Sequence, residues 1–248
     1  RVTGWGKNEV AVTGTLGEGV ERLALSGDSL RTDISIAVSR NTHNAGDSHL
    51  EVHVPASSRV NIETVSADMD ISKISGMVNL GTVSGNIRVA DSSREVVINS
   101  VGGKVDISAS SSRIRAKTVS SPLTLRETSG DVEVSTVGGK LVVIGGRFER
   151  GQFSTVNGSI NFDGELNPKG MFYFKTFNGN IELLLPATTR ASFQISTNNG
   201  NIANELGLEA RSVSGYGTPG KVLNFSTGSG GARVSINTFS GNVRLRKK

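Results

Sequence analysis

A chain of 248 residues with a formal net charge of +5, no cysteine, and 31 glycines against 5 prolines leaves few classes open. Without cysteine there are no disulfides and no thiolate metal sites. No run of 18 apolar residues is present to span a membrane as a helix, and so small a charge reads as solubilising rather than as a nucleic-acid footprint.

The apolar residues are mostly Val, Ile, Leu and Phe in short alternating runs, which predicts strands; no stretch keeps a helical period. The chain begins at Arg1, which reads as a mature chain whose export signal has been removed. Strands are predicted at Glu9-Val10-Ala11-Val12, Leu23-Ala24-Leu25, Ile34–Val38 and Leu50–Val54, and Pro55 ends the last. These form an N-terminal β cap over residues 1–55, to which Trp5 adds apolar area. His43, His49 and His53 raise the question of a metal site. Residues four apart on a strand are about 13 Å apart, too far for one metal, so they read as surface histidines. With all three His in the cap and no Gly-x-Ser-x-Gly elbow, a Ser/His hydrolase is not indicated.

Residues 56–248 carry a repeat. A Thr-Val phrase recurs about every 18 residues at Thr64-Val65, Thr82-Val83, Ser100-Val101, Thr118-Val119 and Thr136-Val137. It continues at Thr155-Val156, Thr176-Phe177, Thr197-Asn198 and Thr238-Phe239. Each unit reads as two short strands separated by Gly/Ser/Asn corners, such as Val78-x-Leu80-x-Thr82 followed by Ile87-x-Val89. A unit this small cannot bury its own inner face. The fold expected is therefore an all-β, single-chain parallel β-helix, a solenoid of about 18–21 residues per rung.

The core is expected to pass from Val, Ile and Leu early to Phe153, Phe162, Phe172, Phe174, Phe177, Phe193 and Phe225 later. Stacking would bring Asp70, Arg88, Asp106 and Thr124 into one outward column, and Glu95, Arg113, Asp131 and Glu149 into another, with Asp131 over Glu149 the like-charge exception. Arg115 over Glu133 adds a favourable pair. The acid pairs Asp68-x-Asp70 and Asp131-x-Glu133 lie within reach of glycosidase geometry, but neighbouring arginines would keep them ionised. Near the C-terminus, Leu206–Ala210 is at most a turn. Gly228–Gly231 breaks the period, giving a local hairpin or a shortened last rung. No helix follows it, so it is no phosphate cradle. Arg244-x-Arg246-Lys247-Lys248 reads as a solvated tail, or as a device blunting an open sheet edge.

The phrases Thr82-Val83-Ser84-Gly85-Asn86-Ile87-Arg88-Val89 and Thr238-Phe239-Ser240-Gly241-Asn242-Val243-Arg244-Leu245 resemble the bacterial adhesin-like family DUF4097 of β-helical proteins. Trp5-x-x-x-Glu9-Val10-x-Val12-x-Gly14-x-Leu16 and the Val52-x-Val54-Pro55 step are similar to that family's opening. The resemblance covers nearly the whole chain. It implies an exported protein, periplasmic or cell-surface associated, and brings no catalytic residues and no cofactor.

The leading expectation is a non-enzymatic adhesin or envelope scaffold whose polar repetitive face meets a glycan, an envelope component or a protein, and not nucleic acid. The column Asn157, Asn178 and Asn199 is its candidate contact surface, against the plainer reading that these Asn shape corners. The alternatives are a carbohydrate-active β-helix enzyme, lyase or hydrolase, and a scaffold that self-associates end to end through open sheet edges.

Overall fold

The computed structural model of the protein describes residues 1–38, 46–110, 113–206, 211–215 and 218–248. Among these the chain is all-β, without a helix. The strands begin with β1 (Val2–Trp5), β2 (Ala11–Thr15), β3 (Val20–Gly27), β4 (Thr32–Val38) and β5 (His49–Pro55). Next come β6 (Val60–Thr64), β7 (Met69–Ser72), β8 (Met77–Thr82), β9 (Ile87–Ala90), β10 (Glu95–Ser100), β11 (Val105–Ser108), β12 (Arg113–Thr118), β13 (Leu123–Arg126) and β14 (Gly130–Thr136). Longer strands follow as β15 (Leu141–Asn157), β16 (Ile160–Leu166), β17 (Met171–Asn178), β18 (Ile181–Leu185) and β19 (Ala191–Asn199). The last are β20 (Ile202–Asn204), β21 (Arg211–Gly215), β22 (Thr218–Ser226), β23 (Ala232–Ser240) and β24 (Val243–Lys247).

Apart from the β3–β4 hairpin, the described strands join one large, mostly parallel sheet. Its pairings resolve into two parallel ladders. One runs β6, β8, β10, β12, β14, the C-terminal half of β15, β17, β23 and β19. We term this the Thr ladder, because Thr64, Thr82, Ser100, Thr118, Thr136, Thr155, Thr176, Thr238 and Thr197 fall opposite one another along it. The second runs β5, β1, β7, β9, β11, β13, the start of β15, β16, β18, β24 and β20.

Alternation decides which side chains are buried. Val78, Leu80, Val96 and Ile98 of the Thr ladder point inward, as do Ile87, Val89, Val105 and Ile107 of the second, and all belong to one apolar cluster. Each such burial contributes about 1.5–3 kcal/mol. The recurring Thr shares the inward parity and is also buried, so its hydroxyl must find a partner. It does so at the adjoining corner. Thr82 Oγ1 accepts from Gly85 N (3.1 Å), Thr176 Oγ1 donates to Gly158 O (3.1 Å), and Thr197 Oγ1 donates to Gly241 O (2.9 Å).

The opposite corner uses backbone geometry. Lys73, Asp91, Ala109 and Glu127 each end a second-ladder strand in the left-handed region, at φ 59°, 52°, 47° and 48°, and Gly145 (φ 74°) follows in the same place. A non-glycine residue pays roughly 1 kcal/mol for this conformation. The column stops at Gly145, where β15 runs on across the corner. There the core becomes phenylalanine: Phe148, Phe153, Phe162, Phe172 and Phe174 are fully buried. Phe153 stacks on Phe174 (ring centroids 5.0 Å apart), and Phe162 lies edge-on to both. Inward glycines make room for the rings. A Cβ on Gly151 would lie 2.5 Å from the Phe153 ring.

Several expectations need correction. Residues Val2–Trp5 form an unforeseen strand, β1, inserted between β5 and β7. Phe177 is half-exposed rather than in the core, because Thr176 takes the inward slot before it. Asp131 does not face Glu149: a β-bulge after Gly130 shifts the register by one, so Asp131 meets Arg150 and forms a 2.7 Å ion pair. Glu149 instead accepts from the Asn167 amide.

Gly228–Gly231 does not close a hairpin, since β22 and β23 lie on opposite sides of β19 while β22 pairs antiparallel with β21, and the strands after it are no tail. β23 lies between β17 and β19, and β24 between β18 and β20, so the last strands in sequence are interior to both ladders. Arg246 there pairs with Glu182 (3.3 Å) and Glu205 (3.8 Å), and Lys248 with Asp163. β22 runs antiparallel along the outer side of β19, and β2 antiparallel along β5. The turn expected at 206–210 lies, beyond Leu206, outside the described residues.

Candidate interaction face

The outer surface of the Thr ladder is built by the same alternation that builds the core. Since each Thr points in, the residue after it points out. The result is an unbroken file: Val65, Val83, Val101, Val119, Val137, Val156, Phe177 and Phe239, each 41–71% exposed. Backbone bonding continues through it; Gly102 N donates to Val83 O, Ser120 N to Val101 O and Gly138 N to Val119 O. At ~4.8 Å per strand the file is about 34 Å long. Scattered exposed valines need no explanation, whereas a contiguous apolar strip marks a contact surface. At its upper end the rings of Phe177 and Phe239 stack, with centroids 4.9 Å apart and planes 2° from parallel. Asn198 of β19 closes the file.

Two shallow, open depressions flank this spine. Gln152, Ser154, Lys175, Phe177, Asn237 and Phe239 line one of about 650 Å³. Arg113, Arg115, Asp131, Glu133, Arg150 and Tyr173 line another of about 470 Å³. In the second, Arg115 bridges Glu95 (2.8 Å) and Glu133 (3.6 Å). Arg150 donates to both oxygens of Asp131 (3.2 and 2.7 Å), and that hydrogen bonding holds its guanidinium above its ordinary pKa.

The candidate Asn column is only partly assembled. Asn178 Nδ2 donates to Asn157 Oδ1 (3.0 Å). Ser240 of the inserted β23 then separates Asn178 from Asn199, so the three do not form one run. A different corner position, two residues further on, carries a set of polar side chains that tie the corners together, which sequence reasoning missed. Asp68 Oδ1 accepts from Asn86 N (2.7 Å), Asn86 Oδ1 from Lys104 N (2.9 Å), Asn180 Oδ1 from Asn242 N (2.8 Å), and Asn242 Oδ1 from Asn201 N (2.9 Å). Each ties one corner to the next strand level. The Gly-Asn pairs at 85–86, 179–180, 200–201 and 241–242 were the available signal.

The acid pairs are each engaged by donors. Asp68 holds the Asn86 backbone and amide; Asp70 lies in register with Arg88; Asp131 is held by Arg150 and Glu133 by Arg115. His49 is exposed opposite Thr15, and the His53 ring lies 5.0 Å from that of Trp5. His43 lies outside the described residues. Among the described residues no three His, Cys, Asp or Glu converge as a metal site, and no helix is long and apolar enough to cross a membrane.

No family model matches the chain, and no curated protein matches it in sequence. Among solved structures it is similar to the crystal structure of a "putative cell adhesion protein from Clostridium sporogenes ATCC 15579". The identity is 10%, the TM-score 0.26, and the comparison covers 100% of this chain and 86% of that one. So distant a likeness carries no argument about this chain.

Proposed function

We propose that this protein is a non-enzymatic, adhesin-like recognition or scaffold protein, exported to the cell envelope, that binds through the outer face of its Thr ladder. In this reading the two ladders are walls of a parallel β-helix made mainly by residues 56–248, and residues 1–55 cap its N-terminal end, with β5 and β1 supplying the first levels of the second ladder. The family reading and the export reading rest on the Thr-Val-Ser-Gly-Asn phrases quoted above.

The observation that carries the proposal is the spine itself. A side-chain file of this length contributes nothing to the core, yet it is apolar at every level from Val65 to Phe239. Stacked aromatics beside Lys175, Gln152 and Asn237 offer apolar faces together with hydrogen-bond donors and acceptors, a combination that suits a glycan or an envelope protein. Against the enzyme reading stands the geometry of the acids: Asp68 accepts from Asn86, Asp131 from Arg150, Glu133 pairs with Arg115, and Asp70 lies in register with Arg88. Against end-to-end stacking stand β2 and β22, which lie antiparallel along terminal strands of the ladders.

The test is a glycan array and an overlay on envelope proteins, using the purified chain and the double variant Phe177→Ala/Phe239→Ala. Binding by the parent and at least a tenfold loss in the variant, with unchanged melting, is the expected result. Equal binding by both would move the contact surface elsewhere. Turnover of a polysaccharide by the parent would return the enzyme reading to first place.

A further inference from the structure

We propose that the partner of the Thr-ladder face is a second copy of this chain, packed face to face about a two-fold axis that runs along the strands midway between β12 and β14. This rests on the reading of that face as a contact surface and adds the identity of its occupant.

The sign of the charges carries the inference. A two-fold axis in that position places β12 of one copy over β14 of the other, β10 over β15, β8 over β17 and β6 over β23. Self-complementarity then requires the charge pattern to invert across the midline. It does. The outermost column reads Met77, Glu95, Arg113, then Asp131, Arg150, Met171 in register order. Folding it about its middle sets Arg113 against Asp131, Glu95 against Arg150, and Met77 against Met171. The next column reads Asn79, Val97, Arg115, then Glu133, Gln152, Tyr173. Folding it sets Arg115 against Glu133 and Asn79 against Tyr173. The intrachain ion pairs of Arg115 and Arg150 would thereby extend into an alternating network across the interface.

The spine obeys the same symmetry. Val119 meets Val137, Val101 meets Val156, and the two small ends, Val83 and Val65, meet the two large ones, Phe177 and Phe239. Both surfaces repeat at the strand spacing, so their side chains meet level by level. The one like-sign coincidence is Arg59 with Arg233, at the far corners. The area is sufficient: a spine of ~34 Å and strands of ~20 Å give roughly 700 Å² per copy, near the ~800 Å² of a standard interface.

Sedimentation equilibrium over a range of concentrations tests this, with melting of each variant recorded alongside. The wild type should form a dimer. Arg115→Glu alone sets two carboxylates against each other across the axis, and Glu133→Arg alone sets two guanidinium groups against each other. Each should weaken dimerisation at least about tenfold. An equimolar mixture of the two variants should recover to within about threefold of the wild type, because every introduced carboxylate at 115 then faces an introduced guanidinium at 133. Mixing does not repair a folding defect, so recovery isolates the contact itself. Val119→Asp should abolish the dimer. A wild type that stays monomeric throughout overturns the inference, as does a dimer indifferent to all three substitutions or a mixture that fails to recover. A monomer that still binds glycan through Phe177 and Phe239 would overturn the second-copy inference and leave the proposed function standing.

Discussion

Thr128 and Thr136 are buried threonines eight positions apart, at opposite corners of the sheet, and their hydroxyls do different things. Thr136 Oγ1 accepts from Gly139 N (3.0 Å) and lies 3.3 Å from Ser121 O as a donor to it. Thr128 is just as buried, and its hydroxyl has no hydrogen-bond partner among the described residues. Valine has the same shape without the hydroxyl. Thr136→Val leaves the Gly139 N–H buried without its acceptor, and a loss of about 1–3 kcal/mol is expected. Thr128→Val removes a hydroxyl that gains nothing from being there, and stability should stay the same or rise by up to ~1 kcal/mol. Urea unfolding at constant slope measures both. No loss at Thr136→Val would show that the repeated Thr is kept for its β-branched shape and not for its staple to the corner.

At the scale of the strand, parity explains both what the sequence made legible and what it concealed. The repeating Thr, the flanking Val/Ile/Leu positions and the Gly/Asn corners fixed the register, because alternation of period two leaves one choice of face. The columns Asp70–Arg88–Asp106–Thr124 and Arg115–Glu133 follow from that register alone. The outward file was legible too, since it is the Val of every Thr-Val phrase. It was overlooked because an apolar residue beside a core strand invites the assumption that it is buried, and Phe177 was misplaced for that reason. The β-bulge at Gly130 was not legible: an inserted residue shows only as a repeat of 19 instead of 18, without revealing which residue is extra. Phe174 and Phe177 make the parity rule quantitative. They are three positions apart on β17, one fully buried and one 52% exposed. Phe174→Ala should cost about 3–5 kcal/mol and Phe177→Ala no more than ~0.5 kcal/mol, read as denaturation midpoints.

For the whole molecule the decisive feature is that chain order and stacking order part company at β23. Stacking β19 directly on β17 would close loops like the 21-residue step from Asn157 to Asn178, whereas inserting β23 closes a 62-residue step from Asn180 to Asn242. The extra closure entropy is only roughly 1 kcal/mol. Against it stands the burial of Ala232, Val234, Ile236, Val243 and Leu245, at about 1.5–3 kcal/mol for each of the larger side chains. Insertion therefore wins, and the C-terminal strands hold the upper levels together instead of extending them. Removing residues 230–248 should then do more than shorten the stack. Hydrogen exchange of the truncated chain should show lost amide protection through β17–β20 and β22, while β6–β14 stay protected, since each level contacts only its neighbours. A peptide of residues 230–248 added in trans should restore protection by entering the vacated position as a strand on both sides. If instead β17 and β19 remain protected after truncation, β19 can stack on β17 unaided, and the threading of the C-terminus would be a late addition to a stack already complete in chain order.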